Sequence, residues 1–115
     1  MKAIVLGCGL VGGLIAKDLA KDKDFQVTVA DIDEKKLEKL AKEAGMQGVK
    51  ADLSNSKAIK KIVAEQDIVI GAVPGFLGFN MLRSVIEAGK NMVDISFMAE
   101  DALSLDELAK KKGVT

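Results

Sequence analysis

Lys2-Ala3-Ile4-Val5-Leu6-Gly7-Cys8-Gly9-Leu10-Val11-Gly12 opens the chain, and Ala30-Asp31-Ile32-Asp33 follows after a second apolar run. The unbroken apolar segment predicts a strand over residues 3–8, buried on both faces. Over residues 10–22, Val11, Leu14, Ile15 and Leu19 recur at helical spacing opposite Lys17, Asp18, Lys21 and Asp22. That pattern predicts an amphipathic helix with the four apolar side chains inward. Residues 25–30 (Phe-Gln-Val-Thr-Val-Ala) are rich in β-branched types and read as a second strand. Asp31 closes it, nineteen residues beyond Gly12. A lone G-x-G is a weak signal in a chain with 11 glycines. Strand, glycine turn, helix, strand and acid in this order form a joint signal for a dinucleotide-binding βαβ unit.

Each glycine has a separate physical task in such a unit. Gly7 permits the tight turn out of the strand, Gly9 lets a pyrophosphate approach the backbone, and Gly12 lets helix and strand pack closely. The phosphates would rest on the free amides around Leu10 and Val11, where the helix dipole favours negative charge. The alternative is that these glycines make only a compact turn. At Asp31 a carboxylate can accept hydrogen bonds from the adenosine ribose, with Ile32 beside it. A 2′-phosphate there would meet like charge, so NAD is favoured over NADP. Asp33 reinforces this preference or caps the next helix. Lys35 and Lys36 are near enough to serve NADP instead.

The whole chain restricts the classes it can join. Its 115 residues make one domain, able to bury a core without a disulfide or metal staple. With 17 basic and 17 acidic residues the net charge is zero, which argues against a nucleic-acid partner. There is no tryptophan or tyrosine to stack on bases. The single cysteine, Cys8, excludes an internal disulfide and fits a reducing, cytoplasmic compartment. The absence of histidine removes an imidazole base and the commonest zinc ligand, and no metal site is expected. Residues 3–16 are nearly all apolar, as in a short leader. Their four glycines, and a length below the roughly 18 residues of a membrane span, argue against leader and membrane alike.

Beyond Asp33, apolar runs alternate with helical stripes. Asp33 can cap a helix carried by Leu37, Leu40, Ala41 and Ala44 and stopped at Gly45, with a Glu38–Lys42 pair outside. Residues 48–51 make a short third strand. Ser54-Asn55-Ser56 caps a helix striped by Ile59, Ile62 and Val63. A fourth strand spans residues 67–72. Pro74-Gly75 turns the chain into a helix through Met81, Leu82, Val85 and Ile86 to Gly89, and residues 91–95 are a fifth strand. Ser104-Leu105-Asp106-Glu107 is a capping box for a last helix bearing Leu108 and Ala109 and ending at Gly113. Strands alternating with helices predict an α/β doubly wound parallel sheet, a Rossmann layout of order 3-2-1-4-5. Val114-Thr115 reads as the start of a truncated sixth strand. Residues 1–115 are therefore expected to be one binding domain cut from a longer protein.

In that layout the carboxyl ends of the strands face the ligand. Asp52-Leu53, after the third strand, should face the adenine, unless Asp52 is a turn residue with a local bond. Ala72-Val73-Pro74 leaves the fourth strand across the crevice and suits the nicotinamide half, or Pro74-Gly75 is plain turn geometry. Asp94-Ile95-Ser96-Phe97 could reach toward a substrate, although a strand-end aspartate is more often a cap. Cys8 reads as a small buried side chain.

Several of these blocks together resemble the N-terminal NAD(P)-binding domain of the saccharopine dehydrogenase family, its lysine dehydrogenase-like members in particular. They are residues 2–12, Ala30-Asp31-Ile32-Asp33, Ala51-Asp52-Leu53-Ser54, residues 69–78 (Val-Ile-Gly-Ala-Val-Pro-Gly-Phe-Leu-Gly) and Met92-Val93-Asp94-Ile95-Ser96-Phe97. The last two blocks carry the family likeness, since many Rossmann proteins share the first. The resemblance implies hydride transfer between nicotinamide and an amino acid C–N centre, an absent substrate domain, and a homodimer at full length. No catalytic residue carries over. A regulatory nucleotide-sensing domain of a potassium transport system is the alternative, since it opens with a similar turn and acid. The proline-glycine block speaks against it.

Overall fold

A computed structural model describes residues 1–44, 46–73, 75–94 and 113. Five strands run β1 (Lys2–Leu6), β2 (Gln26–Asp31), β3 (Gln47–Lys50), β4 (Ile68–Gly71) and β5 (Met92–Asp94). Between them lie α1 (Leu10–Ala20), α2 (Glu34–Ala44), α3 (Ser56–Val63) and α4 (Gly75–Glu87). All strand pairs are parallel and the sheet order is β3-β2-β1-β4-β5, as the alternation of runs and stripes predicts. The expected Gly45 helix stop, Pro74, residues 95–97, the capping box with Leu108 and Ala109, and the sixth strand at 114–115 lie outside the described residues.

The pleat divides the core into two layers. Ile4, Leu6, Ala30 and Val69 point to the side covered by α3 and α4, where they meet Ile59, Val63, Met81 and Val85. Val5, Val27, Val29 and Ile70 point to the other side, against Ala16 of α1 and Leu37 and Leu40 of α2. Ile4, Val5 and Leu6 are fully buried, as a central parallel strand requires. Burying each such aliphatic side chain is worth about 1.5–3 kcal/mol. Gly89 adopts φ +73, with Gly89 N–H donating to Ile86 O at 2.9 Å and Lys90 N–H to Val85 O at 3.2 Å. This paired arrangement closes α4 at the predicted glycine.

Two expectations need correction. Leu14 is not on the buried face of α1; it is 59% exposed. Gly12 instead faces Gly7 and Ala72, Gly13 faces Leu40 of α2 and Ala16 is buried in the core, with Ile15 and Leu19 only partly covered. At Gly12 the helix lies too close to the glycine turn for any side chain, and small residues take the inner positions. β1 also stops at Leu6 rather than at residue 8, because Gly7 turns to φ +103 and breaks the extended run.

Candidate functional site

The carboxyl ends of β1, β2 and β4 converge on the glycine turn. Gly7 N–H donates to Ala30 O and Ala72 N–H to Leu6 O, each at 2.8 Å, so the turn is stitched to both neighbouring strands. A Cβ at Gly7 would stand 2.5 Å from Ala72 O in addition to its positive φ. A Cβ at Gly12 would stand 2.2 Å from Gly7 O and 3.1 Å from Ala72 Cβ. At Gly9 a Cβ would meet nothing within 4 Å. Two glycines are thus demanded by the protein's own packing. The third leaves open space where a ligand backbone can come close.

Gly9 is the residue preceding α1, in extended conformation, and it offers no side-chain cap to the helix. The first intrahelical bond runs from Gly13 N–H to Gly9 O at 2.8 Å. The amides of Leu10, Val11 and Gly12 come before that bond, and such first-turn amides have no carbonyl partner within a helix. They lie at the positive end of the helix dipole, in front of the open face of Gly9. An anionic diester is the chemistry this arrangement accepts.

Asp31 ends β2 beside that turn. Its Oδ2 accepts from Cys8 N–H at 2.7 Å, and its Oδ1 accepts from Asp33 N–H at 2.9 Å. Partial burial raises the carboxyl, but the hydrogen bonds from Cys8 and Asp33 together outweigh it and hold Asp31 below the usual carboxylate range. The group is therefore ionised at neutral pH. Ile32 is 59% exposed next to it, an apolar surface at the edge of the site. Asp33 caps α2, its Oδ1 accepting from Lys35 N–H at 3.0 Å and Lys36 N–H at 3.3 Å. Burial, then the hydrogen bond to Asp31, pushes the Cys8 thiol up to about 12. Cys8 is 5% exposed, the small buried side chain expected of it.

The remaining site residues divide. Asp52 follows β3 at the same edge and is exposed, with Oδ1 accepting from both the amide and the hydroxyl of Ser54. Its local bond is the turn-aspartate alternative. Leu53 is buried in the core against α3 and α4 rather than on the surface. Ala72 is half-buried and Val73 is buried beside the turn. Ala51 N–H donates to Asp31 O at 3.0 Å, which holds the β3 exit against the β2 exit.

Two features were not read from the sequence. One is the bond from Asp31 back to the Cys8 amide, which has no sequence signal beyond the acid itself. The other is a polar cluster of Ser56, Asn80 and Ser84 between α3 and α4, signalled only by a serine inside the apolar stripe of α4. A cleft of about 310 Å³ opens beside Cys8 and Gly9, between α1 and α2, with Lys17, Lys36 and Lys39 on its rim. A larger cavity, about 730 Å³, lies near the amino ends of β1, β2 and β3 and is lined by Lys2, Gln26, Gln47 and Gln66 among others. Ligands of doubly wound sheets bind at the opposite, carboxyl edge. Among the described residues, no helix is long and apolar enough to cross a membrane.

Comparison with known proteins gives the family and supports the fold. Residues 3–115 match the family model described as saccharopine dehydrogenase NADP binding domain. The chain belongs to this family. Saccharopine dehydrogenase (NADP(+), L-glutamate-forming) of Saccharomyces cerevisiae is 29% identical over 112 residues, covering 97% of this chain and 25% of that protein. Mitochondrial alpha-aminoadipic semialdehyde synthase of Mus musculus is 26% identical over 115 residues, covering 99% of this chain and 12% of that protein. The structure of apo saccharopine dehydrogenase (L-Glu forming) from Saccharomyces cerevisiae superposes with a TM-score of 0.89 at 28% identity, over 99% of this chain and 26% of that one. GenD2 in complex with NAD, at 24% identity and a TM-score of 0.82, shares the fold. This saccharopine dehydrogenase-family domain spans a quarter or less of the length of those two sequence relatives. The potassium-transport alternative finds no support in these matches.

Proposed function

We propose that this chain is the cofactor domain of a longer oxidoreductase and binds a nicotinamide dinucleotide along the carboxyl edge of its sheet. The observation that carries the reading is the contrast among the three glycines. Gly7 and Gly12 are closed by packing, whereas Gly9 is open and fronts unpaired helix amides. The pyrophosphate would rest on the amides of Leu10, Val11 and Gly12. The ionised Asp31 would take the ribose hydroxyls. Ile32 and the exposed Asp52, with Leu53 buried behind it, would flank the adenine, and Ala72, Val73 and Pro74 the nicotinamide.

When bound, the nicotinamide accepts a hydride. The family relatives suggest that the donor is the carbon of an amino acid C–N bond, with a proton lost from nitrogen and water then cleaving the resulting C=N. The residues that hold that substrate would lie in further domains, and the full-length enzyme would be a cytoplasmic homodimer. This domain alone should bind cofactor weakly and turn nothing over.

NAD is the favoured cofactor, because a 2′-phosphate would approach the ionised Asp31 carboxylate. Two observations favour NADP as the second reading: the family description and the presence of Lys36 in the cleft beside Cys8 and Gly9. Titration with NADH and NADPH separates them. Tighter NADH binding supports the first reading, tighter NADPH binding the second. No binding of either to folded protein overturns both.

A further inference from the structure

The polar cluster between α3 and α4 has no part in the dinucleotide scheme above, yet it reaches the turn that follows β3. Ser84 is 1% exposed within an otherwise apolar helix face. Its Oγ donates to the Asn80 carbonyl at 2.7 Å and lies 3.0 Å from Ser56 Oγ. Ser56 Oγ lies 3.2 Å from Asn80 Oδ1, and Asn80 Nδ2 donates to the Ser54 carbonyl at 3.3 Å. The Ser54 carbonyl can only accept, so it dictates which end of the Asn80 amide faces it. Asn80 therefore reads both the first residue of α3 and the turn before it.

That turn is also held by the burial of Leu53, by the Ala51 N–H bond to Asp31 O just before it, and by local bonds. Asn55 N–H donates to Asp52 O at 3.1 Å, and Asp52 holds Ser54. These local bonds shape the turn but do not join the polar backbone at Ser54 to a neighbouring element. Asn80 supplies that tie from α4, the helix that follows β4 in the chain. We infer that Asn80 is a positioning residue, tying the Asp52–Ser54 turn on the adenine side to α4. The inference rests on the dinucleotide reading and extends it to a residue outside the ligand edge.

Physically, a turn that must be ordered on binding costs affinity, and a turn already tied in place does not. Asn80→Asp keeps shape and the acceptor toward Ser56 but sets a carboxylate oxygen against the Ser54 carbonyl. Binding of ADP-ribose to the 115-residue protein, measured well below the unfolding transition, should weaken by about fivefold, the equilibrium value of one neutral hydrogen bond. Hydrogen exchange at the Ser54 and Asn55 amides should quicken, which a general loss of stability would not confine to this turn. Ser56→Ala should behave likewise, and Ser56→Thr, which retains the hydroxyl, should behave as the parent does. If Asn80→Asp fails to fold, the two Ser56 variants carry the same comparison. Unchanged ADP-ribose affinity in folded variants overturns the positioning role and leaves the dinucleotide reading standing. A parent protein that does not bind ADP-ribose overturns both.

Discussion

The carboxylate of Asp31 accepts a 2.7 Å hydrogen bond from the main-chain amide of Cys8, twenty-three residues earlier in the chain. The acid that ends β2 thereby braces the glycine turn that ends β1. Its other oxygen holds the Asp33 amide at 2.9 Å, at the entrance to α2. Each carboxylate oxygen has a second lone-pair direction, so the same group can brace the turn and still accept ribose hydroxyls.

Replacing Asp31 should therefore harm fold and binding together. Asp31→Ala leaves the amides of Cys8 and Asp33 without their acceptor in partly buried positions, a cost of about 1–3 kcal/mol in urea unfolding. Asp31→Asn, which can still accept one of the two bonds, should lose less stability. NADH titration should show both variants binding at least about tenfold more weakly, as expected when a charged hydrogen-bond acceptor is lost.

The pH dependence follows from the direction of the Asp31 shift. Folding depresses its pKa, so the folded state gives up the proton more readily than the unfolded chain. The stabilisation is complete above the unfolded value, about 3.9, and is lost as pH falls through the lower folded value. Between about pH 5 and 8, Asp31 should add no pH dependence to stability, and there is no histidine to titrate in that range. Thermal melts across this range check the first claim. Acid unfolding that steepens only below the ordinary carboxylate value checks the second.

Cys8 should be a poor nucleophile despite its place in the ligand turn. With its pKa pushed up to about 12, almost none of it is thiolate at neutral pH. Alkylation by iodoacetamide at about pH 8 should run at least about 100-fold slower than for an unperturbed thiol. Asp31→Asn, which removes the neighbouring charge, should quicken it.

Alanine at Gly7 or Gly12 should destabilise the fold directly. Gly7 combines φ +103 with a Cβ position 2.5 Å from Ala72 O, and Gly12 would press 2.2 Å from Gly7 O. Overpacking of this kind costs about 1–3 kcal/mol, and the positive φ adds about 1–2 kcal/mol at Gly7. Denaturant unfolding of the two variants measures both losses.

Much of this architecture was legible in the sequence because its signals agree with one another. Buried parallel strands write themselves as apolar runs, and the runs at residues 3–8 and 67–72 mark β1 and β4, each running past the carboxyl end of its strand. Asp33, Asn55 and Gly89 marked helix ends through local backbone chemistry, and each acts there as expected. Leu14 misled because hydrophobic spacing cannot report how near a helix lies to its sheet. The neighbouring Gly12, Gly13 and Ala16 were the better indication, since small residues permit the closest approach. In the candidate site, the glycine turn and the acid were visible as a spaced motif. The Asp31–Cys8 bond and the Asn80 cluster were not, because both join residues that only the folded sheet brings together.

If Gly9 is kept free of a side chain for a ligand's sake, Gly9→Ala should cost binding and spare the fold. Its Cβ would meet no atom of the protein within 4 Å, and its φ of −66 suits alanine. Calorimetric titration of NADH and NADPH into the parent and this variant, with thermal melts alongside, is the decisive measurement. The unfolding midpoint should stay close to the parent's while dinucleotide affinity falls at least about tenfold, as a blocked backbone approach requires. A folded Gly9→Ala protein that binds both dinucleotides as the parent does would contradict it.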